Sequence, residues 1–126
     1  MPRVVDELRA GAKASHWMWF VFPQLQALGR SATARRFGIT SREQAAAYVG
    51  DAVLGVRLRE CTALVVAVKG RSALQIFGHP DDMKFRSSMT LFAAVAPQEP
   101  VFAQALAQYF GGEGDALTLA LLAQMR

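Results

Sequence analysis

The side chains best suited to chemistry lie in two short blocks, of which the first reads KASHWMWFVFPQ at positions 13–24. It holds both tryptophans of the chain and one of its two histidines. An indole ring offers a flat surface on which a base or a sugar can stack, and a neighbouring histidine can exchange a proton near neutral pH. We therefore expect His16 to be a catalytic acid–base group, and Trp17, Trp19 and Gln24 to bind a ligand.

The aromatic block is also consistent with a core segment, because fully apolar stretches are usually buried. If the block is helical, the two indoles lie on different faces, and they cannot easily both pack against one core. One indole would then line a pocket. In the alternative interpretation all the aromatic rings belong to the core, and His16 only contacts a backbone carbonyl.

The second block, GHPDDMKFRSSM, places two carboxylates, an ammonium, a guanidinium and two hydroxyls within positions 81–88. On a helix, Asp81 and Lys84 share one stripe, and Asp82 pairs with Arg86 four residues later. Arginine binds phosphate or carboxylate through two hydrogen bonds, lysine acts as a point charge, and aspartate can serve as a general base. The block supplies two candidate catalytic residues, Asp81 and Asp82, and three candidate ligand-binding residues, Lys84, Arg86 and Ser87. An ordinary solvated helix would show the same pattern.

The positive charge of the chain is concentrated in the same third as the aromatic block. The net charge is +4, yet six basic residues and no acidic residue lie between Leu8 and Arg42. Such a region attracts anionic ligands. Arg30 is a candidate ligand-binding residue, because it stands at a predicted helix start where backbone N–H groups also converge. The alternative is a basic surface that faces solvent only.

Several other chemistries have no support in the sequence. It contains no GxSxG turn, no P-loop and no GxGxxG motif. Two histidines and one cysteine, far apart along the chain, form no zinc-ligand pattern, so we predict no metal and no cofactor. We expect Cys61 to be a small core residue and His79, which precedes a proline, to be an ordinary residue at a helix start.

The elements that must position the two blocks are predicted to be helices. Serine or aspartate can cap most of them, and glycine or proline follows each one. The predicted caps are Ser15, Ser31, Ser41, Asp51, Ser72 and Asp115. No stretch shows the sustained alternation of strands joined by hairpin turns. We therefore predict one all-α domain over residues 1–126, with about seven or eight short helices.

Length and composition limit the class of protein. A chain of 126 residues, 52% of them hydrophobic, is long enough for one folded domain. It has no run of about 20 apolar residues that could span a membrane and no apolar signal-peptide core at its start. Its single cysteine forms no internal disulfide and fits a reducing compartment. We expect a cytoplasmic protein with no membrane partner.

Five segments carry a resemblance to a known family: SHWMWFVFPQL, LGRSATARRFGI, VLGVRLRECTALV, IFGHPDDMKFRSSMTLF and YFGG. They resemble the small bacterial family catalogued as domain of unknown function (DUF) 1810, and the resemblance covers nearly the whole chain. It implies a shared fold and carries no established activity. The label calpastatin-like, sometimes attached to this family, finds no support here, because the chain has no disordered low-complexity repeat.

Three functions follow from these patterns. The first is binding of a small anionic ligand, nucleotide-derived in one version, between the two blocks, with hydrolysis as a further step. The second is a protein-interaction or homo-oligomer-forming module, because Leu117, Leu119, Leu121 and Leu122 are more leucines than one buried stripe needs. The third, nucleic-acid binding, is the least favoured, because the net charge is low and no known module matches.

Overall fold

The computed structural model of the protein describes residues 2–14, 17–28 and 38–125. Over these ranges it contains eight α-helices: α1 Pro2–Arg9, α2 Met18–Val21, α3 Arg42–Gly50, α4 Leu54–Ala67, α5 Ala73–Phe77, α6 Asp81–Val95, α7 Pro100–Phe110 and α8 Ala116–Gln124. A 3₁₀ turn covers Gln26–Leu28, and the one extended pairing in these ranges is an isolated bridge between Leu25 and Ile39. The predicted all-α class is confirmed.

Side-chain caps fix where several helices begin. Ser41 accepts a hydrogen bond from the Gln44 N–H, and Ser72 forms a full capping box with Gln75. Asp115 accepts from the Thr118 N–H at the start of α8. Each of these three caps satisfies backbone donors that have no partner inside the helix, as their sequences predicted.

Two predicted helix starts differ from the structure. α4 begins at Leu54, because Asp51 accepts hydrogen bonds from the N–H groups of Val53 and Leu54 and forms a turn ahead of the helix. These hydrogen bonds lower the pKa of the Asp51 carboxyl. The prediction that the aromatic helix starts after Ser15 is wrong, because Trp17 lies outside α2 with φ −142°. The helix predicted after Ser31 lies outside the described residues.

α6 is the central helix of the core. It packs against α2, α3, α5, α7 and α8. Its Phe85 is fully buried, stacks on Phe77 with ring centroids 4.6 Å apart, and meets Phe22 edge-on at 5.0 Å. This aromatic cluster holds the segment after α2 against the start of α6 and thereby brings the two blocks together. None of the helices in the described ranges is long and apolar enough to cross a membrane.

Candidate functional site

The two blocks meet at a cavity of about 280 Å³. From the first block it is lined by Lys13, Trp17 and Met18, and from the second by His79, Pro80, Asp81 and Lys84. Lys13 and Asp81 are 68 positions apart in the sequence, so the fold alone makes them neighbours. The cavity contains three of the predicted site residues, Trp17, Asp81 and Lys84.

The charged centre of the cavity is one carboxylate held between two ammonium groups. Lys13 Nζ lies 2.7 Å from Asp81 Oδ2, and Lys84 Nζ lies 3.3 Å from Asp81 Oδ1. The Lys13 side chain is only 7% exposed, and that of Asp81 19%. Because both carboxylate oxygens face an ammonium, the geometry gives Asp81 a positioning role rather than the general-base role predicted for it.

The conformation of the segment after α1 positions Lys13 next to Asp81. Gly11 has φ +67°, a conformation that favours glycine, and a Cβ there would lie 3.0 Å from a Val68 methyl carbon. Arg71 Nε donates to the Gly11 carbonyl at 2.9 Å, and the Lys13 N–H donates to the Ile76 carbonyl at 2.7 Å. These two hydrogen bonds fix the backbone on both sides of the turn, so Lys13 does not depend on its ion pair alone for its position.

The Trp17 side chain is buried and lines the cavity. It is 6% exposed, and its indole Nε1 donates to Glu7 Oε1 at 3.0 Å. Lys13 Nζ lies 5.2 Å from the Trp17 ring centroid, within the range of a cation–π contact, and the Phe22 ring centroid is 6.1 Å away. Little ring surface is left on which a base could stack, so the stacking role predicted for Trp17 does not fit its burial.

His79 is a cavity residue to which the sequence analysis gave no role. Its Nδ1 lies 3.0 Å from Asp82 Oδ1, and its side chain is 68% exposed. The peptide bond that joins it to Pro80 is cis. The signal in the sequence was the aspartate three residues later, which can orient an imidazole at a helix start.

Arg86 and Ser87, both predicted to bind ligand, lie outside this cavity. The predicted Asp82–Arg86 pair does not form, because each residue has another partner. Arg86 Nε donates to the Glu113 carbonyl at 3.1 Å, and the guanidinium lies over the Phe110 ring at 5.4 Å. Ser87 is buried and its hydroxyl donates to the Met83 carbonyl at 3.1 Å, which is an ordinary contact within a helix.

The remaining predicted residues fall outside the cavity or outside the described structure. Gln24 is 9% exposed, and its backbone carbonyl accepts from the Ile39 N–H at 2.8 Å. His16 and Arg30 are not among the described residues, and neither is the side chain of Trp19. Within the described part of the chain, no three His, Cys, Asp or Glu side chains come together as metal ligands could.

Comparison with known proteins places the chain in a family. The model of the family described as "Protein of unknown function (DUF1810)" matches residues 1–122. The crystal structure of the conserved hypothetical protein Rv1873 from Mycobacterium tuberculosis is similar at 57% identity with a TM-score of 0.94, over 95% of this chain and 86% of that chain. A search of curated proteins found no match. The resemblance carried by the five sequence segments is therefore confirmed, and the chain belongs to the DUF1810 family.

Proposed function

We propose that this domain binds a small anionic ligand in the cavity between residues 13–18 and the start of α6. The observation that carries the proposal is the convergence of Lys13 and Lys84 on one carboxylate. Two of the three lysines in the chain line this one cavity, although the chain has no lysine between positions 13 and 69. A ligand anion in the cavity would therefore lie close to two ammonium groups, which attract it electrostatically.

The burial of Lys13 strengthens this interaction. Exposed ion pairs contribute little, because water and salt screen them. An ammonium that is mostly removed from water attracts a second anion more strongly, because the effective dielectric constant around it is lower. Asp81 offsets the cost of burying Lys13, and a ligand anion would be a second negative partner for this ammonium group.

The cavity volume limits the size of the ligand. About 280 Å³ lies just below the 300–1,000 Å³ typical of sites for drug-sized molecules. The buried Trp17 provides no stacking platform, so a nucleotide would have to be recognised through its phosphate and sugar. The cavity favours a compact anion over a dinucleotide.

Hydrolysis of the bound ligand is the further step that the acid–base groups would support. His79 is oriented by Asp82 and lines the cavity, and it joins His16 as a candidate to take a proton from an attacking water. Asp82 would then have a supporting role, because its Oδ1 lies against the imidazole.

The binding proposal is tested by titration calorimetry at low ionic strength with sodium phosphate, pyrophosphate, acetate and AMP, on the wild type and on Lys84→Met. A charge-assisted hydrogen bond contributes about 1.5–3 kcal/mol, so we expect affinity for the bound anion to fall roughly 10- to 100-fold. Lys84 is chosen because replacing Asp81 would leave the buried Lys13 charge without its partner and endanger the fold.

Lys69→Met is the matched control for charge. Lys69 donates to the Val66 carbonyl and to Gln108, outside the cavity, so its removal lowers the net charge by the same amount. We expect this variant to bind the anion as the wild type does. If no anion binds the wild type, or if both variants lose the same affinity, the proposal is wrong.

Self-association is the second candidate function. None of the nine residues of α8, ALTLALLAQ, is charged. Leu117 is 57% exposed and Leu119 is 48% exposed. Exposed apolar surface of this kind often marks a contact with another protein. A second copy of the chain would cover it without bringing like charges together.

A further inference from the structure

A second cavity lies between α1 and α4, and it shares no lining residue with the cavity that contains Lys13. Its volume is about 670 Å³, which falls within the 300–1,000 Å³ typical of small-molecule sites. The lining residues come from α1, from α4 and from the turn before α4. This cavity is large enough to hold an organic molecule.

Most of the side chains around this second cavity are apolar, and they include Val5, Val53, Val56, Ala63 and Leu64. Val53 is 61% exposed and Val56 is 38% exposed, so a ligand with a hydrocarbon part would remove apolar surface from water. Cys61 is 1% exposed and also lines the cavity, so the cavity reaches the edge of the buried core. This depth favours a small molecule over the flat surface of another protein.

Three charged side chains line the same cavity. Arg9 is the last residue of α1, and Arg57 and Glu60 lie three positions apart on α4. Neither guanidinium group has a hydrogen bond or an ion pair to another residue in the described part of the chain. Burial raises the pKa of the Cys61 thiol to about 11, while the charge of Arg57 acts to lower this pKa and that of Glu60 acts to raise it. The charges of Arg57 and Glu60 therefore act at a residue that lines the cavity.

The charges of the lining favour a ligand with one negative charge. Two guanidinium groups and one carboxylate give the lining a net charge of +1. A guanidinium group can bind a carboxylate through two parallel hydrogen bonds, and neither Arg9 nor Arg57 uses this capacity within the described residues. A ligand that matches both the apolar and the charged side chains has a hydrocarbon chain and a single carboxylate.

We infer that this cavity binds a free aliphatic monocarboxylic acid, with its hydrocarbon chain against Val53, Val56 and Leu64 and its carboxylate at the two arginines. The site is separate from the proposed anion site at Lys13 and Lys84, so each can be wrong without the other. Glu60 disfavours a head group with two negative charges, because it would repel the second charge.

The experiment is an NMR titration of the methyl-labelled full chain at pH 7.5 with octanoate, butyrate, octanol and octylamine. Each methylene group that leaves water raises affinity roughly fourfold, so we expect octanoate to bind about 10- to 100-fold more tightly than butyrate. The carboxylate should give octanoate about a 10-fold advantage over octanol, and octylamine should bind most weakly. The methyl signals of Val53, Val56 and Leu64 should shift.

Substitutions of the charged residues test how the carboxylate is bound. We expect Arg57→Gln to lower octanoate affinity about 10-fold and to leave octanol affinity unchanged. Glu60→Gln should raise octanoate affinity about 2- to 3-fold, because a like charge is removed, and damage to the fold would not produce such an increase. Arg3→Gln is the matched control, since Arg3 is an exposed residue of α1 that does not line the cavity.

Several outcomes would overturn this inference. Octanoate that binds no better than octanol does so, as does an equal loss of octanoate affinity in Arg57→Gln and Arg3→Gln. Shifts confined to residues near Lys13 and Lys84 would place the acid in the other cavity, which contradicts this inference and supports the anion site. Binding to phosphatidylglycerol vesicles without binding of octanoate would show a membrane contact instead of a site for the free acid.

Discussion

Asp81 shows how one side chain can organise a charged cavity. Its two carboxylate oxygens are shared between Lys13, which lies in the segment after α1, and Lys84 of its own helix. Each ammonium group is thereby held in place beside the cavity. A ligand anion in the cavity would therefore meet two ammonium groups that one carboxylate already positions.

The single cysteine lies on α4 and is predicted to be chemically inert. Burial disfavours the charged thiolate and raises the pKa of Cys61 from 9.0 to about 11. At pH 8 only about one thiol in a thousand is then ionised. We expect Ellman's reagent to react very slowly with the native protein at pH 8 and completely after unfolding in guanidinium chloride. Reaction of the native thiol as fast as that of the unfolded one would contradict this.

At the residue scale, sequence spacing predicted one of the two ion pairs expected within α6 and missed the contacts between elements. Asp81 and Lys84 were placed on one stripe and do form an ion pair. Lys13 was overlooked as their partner, because nothing local relates two residues 68 positions apart. Arg86 was assigned to Asp82, but Glu113, which lies after α7, is its partner in the fold. Tertiary contacts decided both cases.

At the scale of elements, three helix starts were predicted correctly from their capping residues, and the conformation of the aromatic segment was not. Capping by Ser41, Ser72 and Asp115 depends on local backbone geometry, which the sequence encodes directly. The aromatic segment instead follows its long-range contacts. The Ala14 N–H and the Trp17 indole both donate to Glu7 on α1, and Trp17 lies outside the helix that begins at Met18.

The crossing of α3 and α4 depends on one glycine. A Cβ on Gly55 would lie 1.9 Å from the Val49 carbonyl oxygen, so an alanine there must push the two helices apart. Alanine normally stabilises a helix relative to glycine. Here we expect Gly55→Ala to destabilise the protein by roughly 1–3 kcal/mol and to lower the midpoint of thermal unfolding by about 3–15 °C.

Gly50→Ala is the control for this substitution. Gly50 ends α3, and no atom lies within 4 Å of a Cβ built there. We expect its unfolding midpoint, measured by circular dichroism, to stay within about 2 °C of the wild type. Equal midpoints for both variants would show that the close approach at Gly55 is not structurally important.

At the scale of the whole molecule, the all-α class followed from the sequence because helical periodicity and helix boundaries agreed along the chain. Similarity to the Rv1873 structure over most of the chain supports the same architecture. The candidate site could be predicted only in part. Both of its blocks were recognisable by residue type. The burial of Trp17 and the position of His79 at the cavity, however, depend on packing among α1, α2 and α6.

The exposed face of α8 predicts self-association at high protein concentration. We expect sedimentation equilibrium to show a dimer in the range of tens to hundreds of micromolar, and the double variant Leu117→Glu, Leu119→Glu to be monomeric, because a charge on each face disfavours burial. Leu74 on α5 is 56% exposed and serves as the control, since Leu74→Glu should leave the dimer intact. A wild-type protein that stays monomeric at millimolar concentration would contradict this.

The ion pair between Lys13 and Asp81 also has a consequence for how the protein folds. To form it, the chain must close a loop of 68 residues, which costs more entropy than any contact within a helix. Contacts of such long sequence separation are typically completed late on the folding pathway, after the helices have formed. A ligand that bridges Lys13 and the start of α6 stabilises the native state more than the folding transition state. Its main kinetic effect is therefore to slow unfolding.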